Sequence, residues 1–182
     1  NNIQTESEFF SLDVAKRLLS DYGKAKVITA SNVFAHIDDL NTMMTAVDSL
    51  LDKDGVFIVE APYAVHLLDN LEYDTIYHEH LAYHAVTPLQ SFLRLHDLEI
   101  IDVHRVDSHG GSIRVYSQHV GGPHLKQPSV DAIIDEEKVV GLTSMAAFSK
   151  LAAQINKMKA DLSKVLSEIT SASKSIAAFG AP

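Results

Sequence analysis

AKVITASNVFAHIDDLNTMMTAVDSLLDKDGVFIVEAP, residues Ala25–Pro62, is the stretch on which the fold turns. Val27 to Ala30 is a short apolar run that leads into a polar loop, the pattern of a buried strand. Gly55 to Pro62 is a second such run, closed by proline. Between them, Asp38 and Asp39 place negative charge at the start of a segment whose apolar residues Leu40, Met43, Met44, Val47, Leu50 and Leu51 form one helical stripe. Strand, helix and strand at this spacing make a βαβ unit. Two parallel strands need a right-handed crossover of this kind, so the expected class is α/β.

Working outward, residues 6–22 carry Phe10, Val14, Leu18 and Leu19 on one helical face, with Gly23 as a stop. On the other side, residues 63–86 have no clean period and read as loop and short helix. TPLQSFLRLHD predicts a helix with Thr87 as N-cap and Pro88 at its first position. LEIIDVHRVD and GSIRVYSQHV are β-rich runs joined by SHGG, whose glycines permit positive φ. They are expected to pair antiparallel at the sheet edge. Further on, Phe148, Leu151, Ile155, Met158, Leu162, Val165 and Ile169 alternate three and four residues apart, a coiled-coil-like seam on a long helix. Residues 174–182 read as the first strand of a further, truncated domain.

The bulk composition narrows the function classes. The chain has 182 residues, 46% of them hydrophobic, and a net charge of -9. That charge disfavours nucleic acid and anionic membranes as partners, since phosphate binding relies on clustered Lys and Arg. No apolar run is long enough to span a bilayer. With no cysteine and no charged-then-apolar leader, a cytoplasmic protein without disulfides or thiolate metal sites is expected.

Chemistry concentrates in DTIYHEHLAYH, residues Asp74–His84. His78 and His80 would share a face in extended geometry, and His80 and His84 on a helix. The zinc-protease spacing fails because Ala82 stands where it needs histidine. A metal site, an acid–base site and a solvated cluster remain as readings of these residues alone. In an open parallel sheet, ligands bind beyond the carboxyl ends of the strands. That places Asn32, Phe34 and His36 after the first strand, and Glu60, Pro62 and Tyr63 after the second, at the expected site. SHGGSIRVY is a hairpin turn, or a turn in which His109, Gly110, Gly111 and Arg114 line an anion or carbonyl site.

Together, ITASNVFAHIDDL, GVFIVEAPY, YDTIYHEHLAYH and HGGSIRVY resemble the S-adenosylmethionine-dependent C-methyltransferases that act on nucleotide-linked keto-deoxysugars. The resemblance runs over nearly the whole chain. It implies a partial Rossmann-like class I methyltransferase sheet over residues 1–125, a connecting helical segment at 126–173, and the start of a C-terminal α/β domain at 174–182. It implies S-adenosylmethionine as cofactor, with zinc confined to a cysteine-bearing N-terminal domain that has no counterpart in this sequence. The glycine-rich cofactor loop is likewise not in it, so the chain alone is expected to be inactive. His80 matches the family's general base. Tyr77, Glu79 and His36 match its other active-site positions. Asn32 and Phe34 fall where the methionine end of the cofactor should pass. His78 and His84 receive no role. The other reading is a non-catalytic module that binds a nucleotide sugar or associates with itself through the 148–169 helix.

Overall fold

The structure is a computed structural model that describes residues 3–108 and 110–179. It comprises two compact units, residues 1–140 and 141–182. In the first, α1 (Leu12–Tyr22) starts at Ser11, whose hydroxyl accepts from the Val14 amide, and stops at Gly23, φ 79°. β1 (Ala25–Ser31), α2 (Leu40–Leu50) and β2 (Leu51–Pro62) then form the expected βαβ unit. Asp39 caps α2, accepting from the amide and hydroxyl of Thr42. β1 and β2 are parallel, with Ala30 opposite Val59 and Ser31 opposite Glu60.

α3 (Ala64–Asn70), α4 (Val86–Arg94), β3 (Leu98–Val106), β4 (Ser112–His119) and α5 (Pro128–Val140) complete the unit. The sheet order is β1-β2-β4-β3. β3 and β4 pair antiparallel, as expected of the two β-rich runs, but the second of them returns to the inside. β4 lies between β2 and β3, antiparallel to both, which leaves β3 at the margin and parallel to β2. This is the mixed α/β sheet with an antiparallel finish anticipated from the sequence.

The core lies on one face of the sheet. Phe57 and Val59 of β2 and Ile113 and Val115 of β4 are buried there, with Met44 and Val47 of α2 and Leu89 and Leu93 of α4 also buried. Phe34 sits at the centre, 6.3 Å from the Phe57 ring and 6.4 Å from that of Phe92. Removing side chains of this size from water contributes about 1.5–3 kcal/mol each.

Two local expectations are corrected. α4 begins at Val86, and no side chain of its own first turn caps it. The carboxylate of Glu137, on α5, accepts from the amides of Val86 and Thr87 instead. The connecting helical segment expected at 126–173 contains α5 and, in the second unit, α6 (Met145–Ser171), which carries the seam over 148–169. Residues 174–179 form no strand, and 180–182 lie outside the described residues.

Candidate active site

β1 and β2 both deliver their ends to one side of the sheet. β1 runs into Asn32, whose amide donates to the Glu60 carbonyl at 2.8 Å. A short 3-10 turn, Phe34–His36, follows. β2 ends at Pro62, and the chain then leaves on a long excursion through α3 and residues 71–84 before α4 begins. The tip of that excursion returns to the 3-10 turn, where the Leu81 amide donates to the Ala35 carbonyl at 2.9 Å. A cleft of about 500 Å³ forms between them, lined by Asn32, Ala35, His36, Pro62, Thr75, Tyr77, Glu79 and His80.

The cleft brings two imidazoles together, their ring centres 5.0 Å apart. Each faces a backbone carbonyl through Nδ1: His80 that of Thr75 at 2.8 Å, His36 that of Glu79 at 2.7 Å. A carbonyl oxygen only accepts, so both Nδ1 atoms carry the proton and Nε2 is the basic atom of each neutral ring. The Tyr77 hydroxyl lies 3.3 Å from His80 Nε2. The Tyr83 hydroxyl donates to the Thr75 carbonyl that also holds His80. Glu79 therefore orients a histidine through its backbone oxygen, while its side chain is exposed. Thr75 was not among the residues singled out from sequence. A backbone carbonyl leaves no trace in side-chain identity.

Asn32 has φ 54°, in the left-handed region, and its Oδ1 is buried with no hydrogen-bond partner among the described residues. A buried unpaired acceptor is costly, about 1–3 kcal/mol, and here it borders the cleft. A ligand ammonium or hydroxyl would satisfy it. The methionine end of an S-adenosylmethionine molecule offers such a donor, so the residue present fits that group.

Other expected positions fall elsewhere. The Phe34 side chain, expected near the cofactor, is fully buried in the core and is not among the residues that line the cleft. Gly110 and Gly111 pack closely against the side chains of Glu72 and His66, both at positive φ. Arg114 donates through Nε and Nη2 to Glu60 Oε2, at 2.8 and 2.6 Å. The partner that its place in an apolar strand called for is, within this chain, a carboxylate, and neither these glycines nor Arg114 is among the residues that line the cleft. His109 lies outside the described residues. His84 is buried beside Phe34, ring centres 5.3 Å apart, and burial pushes its pKa below the ordinary histidine value. Among the described residues, no group of three His, Asp or Glu is placed to share a metal ion, and no helix is long and apolar enough to cross a membrane.

Comparison with known proteins bears on what this cleft belongs to. Residues 107–182 match the family described as C-methyltransferase C-terminal domain. C-methyltransferase NovU of Streptomyces niveus is 32% identical over 180 residues, 99% of this chain, and the chain spans 43% of that relative's length. Among solved structures, magnesium protoporphyrin IX methyltransferase (ChlM) of Synechocystis PCC 6803 with bound SAH aligns at TM-score 0.40 and 16% identity, over 54% of this chain and 47% of that one. A SAM-dependent methyltransferase of Anabaena variabilis ATCC 29413 aligns at TM-score 0.45 and 14% identity, over 62% and 56%. The chain is thus similar to C-methyltransferase NovU almost from end to end, and to the C-methyltransferase C-terminal domain over 107–182.

Proposed function

We propose that the chain carries the proton-abstraction half of an S-adenosylmethionine-dependent C-methyltransferase acting on a carbonyl substrate, most simply a nucleotide-linked keto-deoxysugar. The observation that carries this reading is the His80 imidazole. Its Nδ1 proton is fixed on the Thr75 carbonyl and its Nε2 is turned to a tyrosine hydroxyl in an open cleft. Methylating carbon needs a carbon nucleophile. His80 Nε2 removes a proton alpha to the ketone, and the C–H electron pair passes into the enolate. The Thr75 carbonyl stabilises the imidazolium that forms, because the Nδ1–H bond strengthens as the ring gains charge. The Tyr77 hydroxyl stands within the same cleft to donate to the developing oxyanion, while His36 Nε2, unprotonated, can accept from a substrate hydroxyl. When bound, S-adenosylmethionine supplies an electrophilic methyl group on a sulfonium. Asn32 Oδ1, buried and facing the cleft, would hold its ammonium.

The test uses a protein that carries this chain within the full length of its relative. His80→Ala lowers kcat by about 10²–10⁴-fold, the usual worth of a general base, with cofactor affinity within about twofold of wild type. Solvent-deuterium exchange into the alpha position of the substrate without cofactor is lost in the same variant. Retained exchange would remove His80 as the base. The family resemblance supports a sugar substrate, and parallel assays with a nucleotide keto-sugar and a simple ketone decide that point.

A further inference from the structure

The excursion that carries Tyr77, Glu79 and His80 leaves the sheet after Tyr63 and returns at Val86. Ala64 N donates to the His84 carbonyl at 2.9 Å, and Tyr63 and His84 form an isolated parallel bridge, so its two ends lie side by side. Both are also held by one carboxylate. Glu137, on α5, is 2% exposed. Its Oε1 accepts from the Tyr63 hydroxyl at 3.0 Å and from the Val86 amide at 2.6 Å, and its Oε2 accepts from the Thr87 amide at 2.8 Å. A glutamate buried in a helix otherwise facing the core with Val130 is costly unless both carboxylate oxygens are hydrogen-bonded. Here three donors reach them, and all three belong to the roots of the excursion.

We propose that Glu137 is a positioning residue whose buried carboxylate staples the two roots of the Ala64–Ala85 excursion and thereby holds His80 and Tyr77 on the cleft. This deepens the proton-abstraction reading and rests on it for the reaction, while the staple itself rests on geometry alone. Adjacent groups reinforce it. Arg105 stacks over the Tyr63 ring at 5.2 Å and reaches Glu136 at 2.5 Å, so α5 grips the first root from two neighbouring residues. Closing so long an excursion costs chain entropy, and a fixed root shortens the part that must order around the substrate.

Amide hydrogen exchange of the 182-residue chain tests the staple without reference to turnover. Glu137→Ala and the milder Tyr63→Phe are each expected to speed exchange over residues 73–85 by about tenfold or more, while β4 keeps its wild-type protection. Glu137→Gln retains an oxygen for Tyr63 and Val86 and restores most of the protection. In the full-length enzyme, Glu137→Ala lowers kcat by about 10²-fold with cofactor affinity unchanged, and Glu137→Gln recovers most of it. Unchanged exchange over 73–85 in Tyr63→Phe and Glu137→Ala alike overturns the proposal, as does acceleration spread evenly over the whole chain. Local acceleration with undiminished kcat also overturns it. If the staple effect is seen but His80→Ala stays active, the staple stands and the base assignment falls.

Discussion

Gly111 and His80 show how differently single residues reveal themselves. Gly111 has φ 123°, and a Cβ added there would overlap the His66 ring. Its glycine identity is explained by close packing and backbone conformation, with no ligand required. Gly111→Ala is therefore expected to destabilise the chain by about 2–3 kcal/mol, from backbone strain and overpacking together. Urea denaturation at neutral pH measures it, and wild-type stability would show that the loop and His66 move apart freely. His80 was singled out through the family resemblance, from a His/Tyr cluster whose residues alone left metal, acid–base and solvated readings open. What orients it was not legible: the Thr75 carbonyl, like the Glu79 carbonyl that holds His36, could stand on any side chain. Asn32 lay between these cases. Its place after β1 suggested a ligand, and only the buried, unpaired Oδ1 gave that suggestion a physical content.

Among the elements, the βαβ unit read cleanly because its cues are local: an apolar stripe, an acidic cap and two buried runs. α4 did not, because its cap comes from a residue some fifty positions later, and no local pattern encodes a carboxylate from another helix. The one available sign was Glu137 itself, two helical turns beyond Val130 and therefore on the same, buried face. The order of β3 and β4 was hidden for a similar reason, since antiparallel pairing is set by the turn while the choice of inner strand is set by β2. The seam of α6 was read correctly as a stripe. Phe148, Met158, Leu162 and Val165 remain 45%, 40%, 58% and 49% exposed, while Lys157–Asp161 and Lys164–Glu168 pairs occupy the helix surface beside them. A regular three–four alternation is self-complementary, which makes a second copy of the helix the partner to test. Sedimentation at rising concentration should show a dimer that Leu162→Asp abolishes; a monomer at every concentration would end that reading.

At the scale of the molecule, the cleft is supplied from one direction. Its lining comes from the segments that follow β1 and β2, and among the described residues β1 pairs with a strand on one side only. A ligand at the carboxyl edge of an open sheet is normally held by loops from both sides of a switch point, with a glycine-rich turn cradling it on the second side. The 182-residue sequence contains no such turn. Asn32 can satisfy one donor of a cofactor, but a single hydrogen bond contributes only about 1 kcal/mol net, far short of the roughly 8 kcal/mol that micromolar binding requires. Calorimetric titration of the 182-residue chain with S-adenosylmethionine at about 100 μM should therefore give no binding. A protein with this chain in the full length of its relative should bind, and there Asn32→Ala should weaken affinity by about tenfold. Micromolar binding by the 182-residue chain would mean that the segments after β1 and β2 form the cofactor site by themselves, and the division of labour argued from the sheet would have to be abandoned.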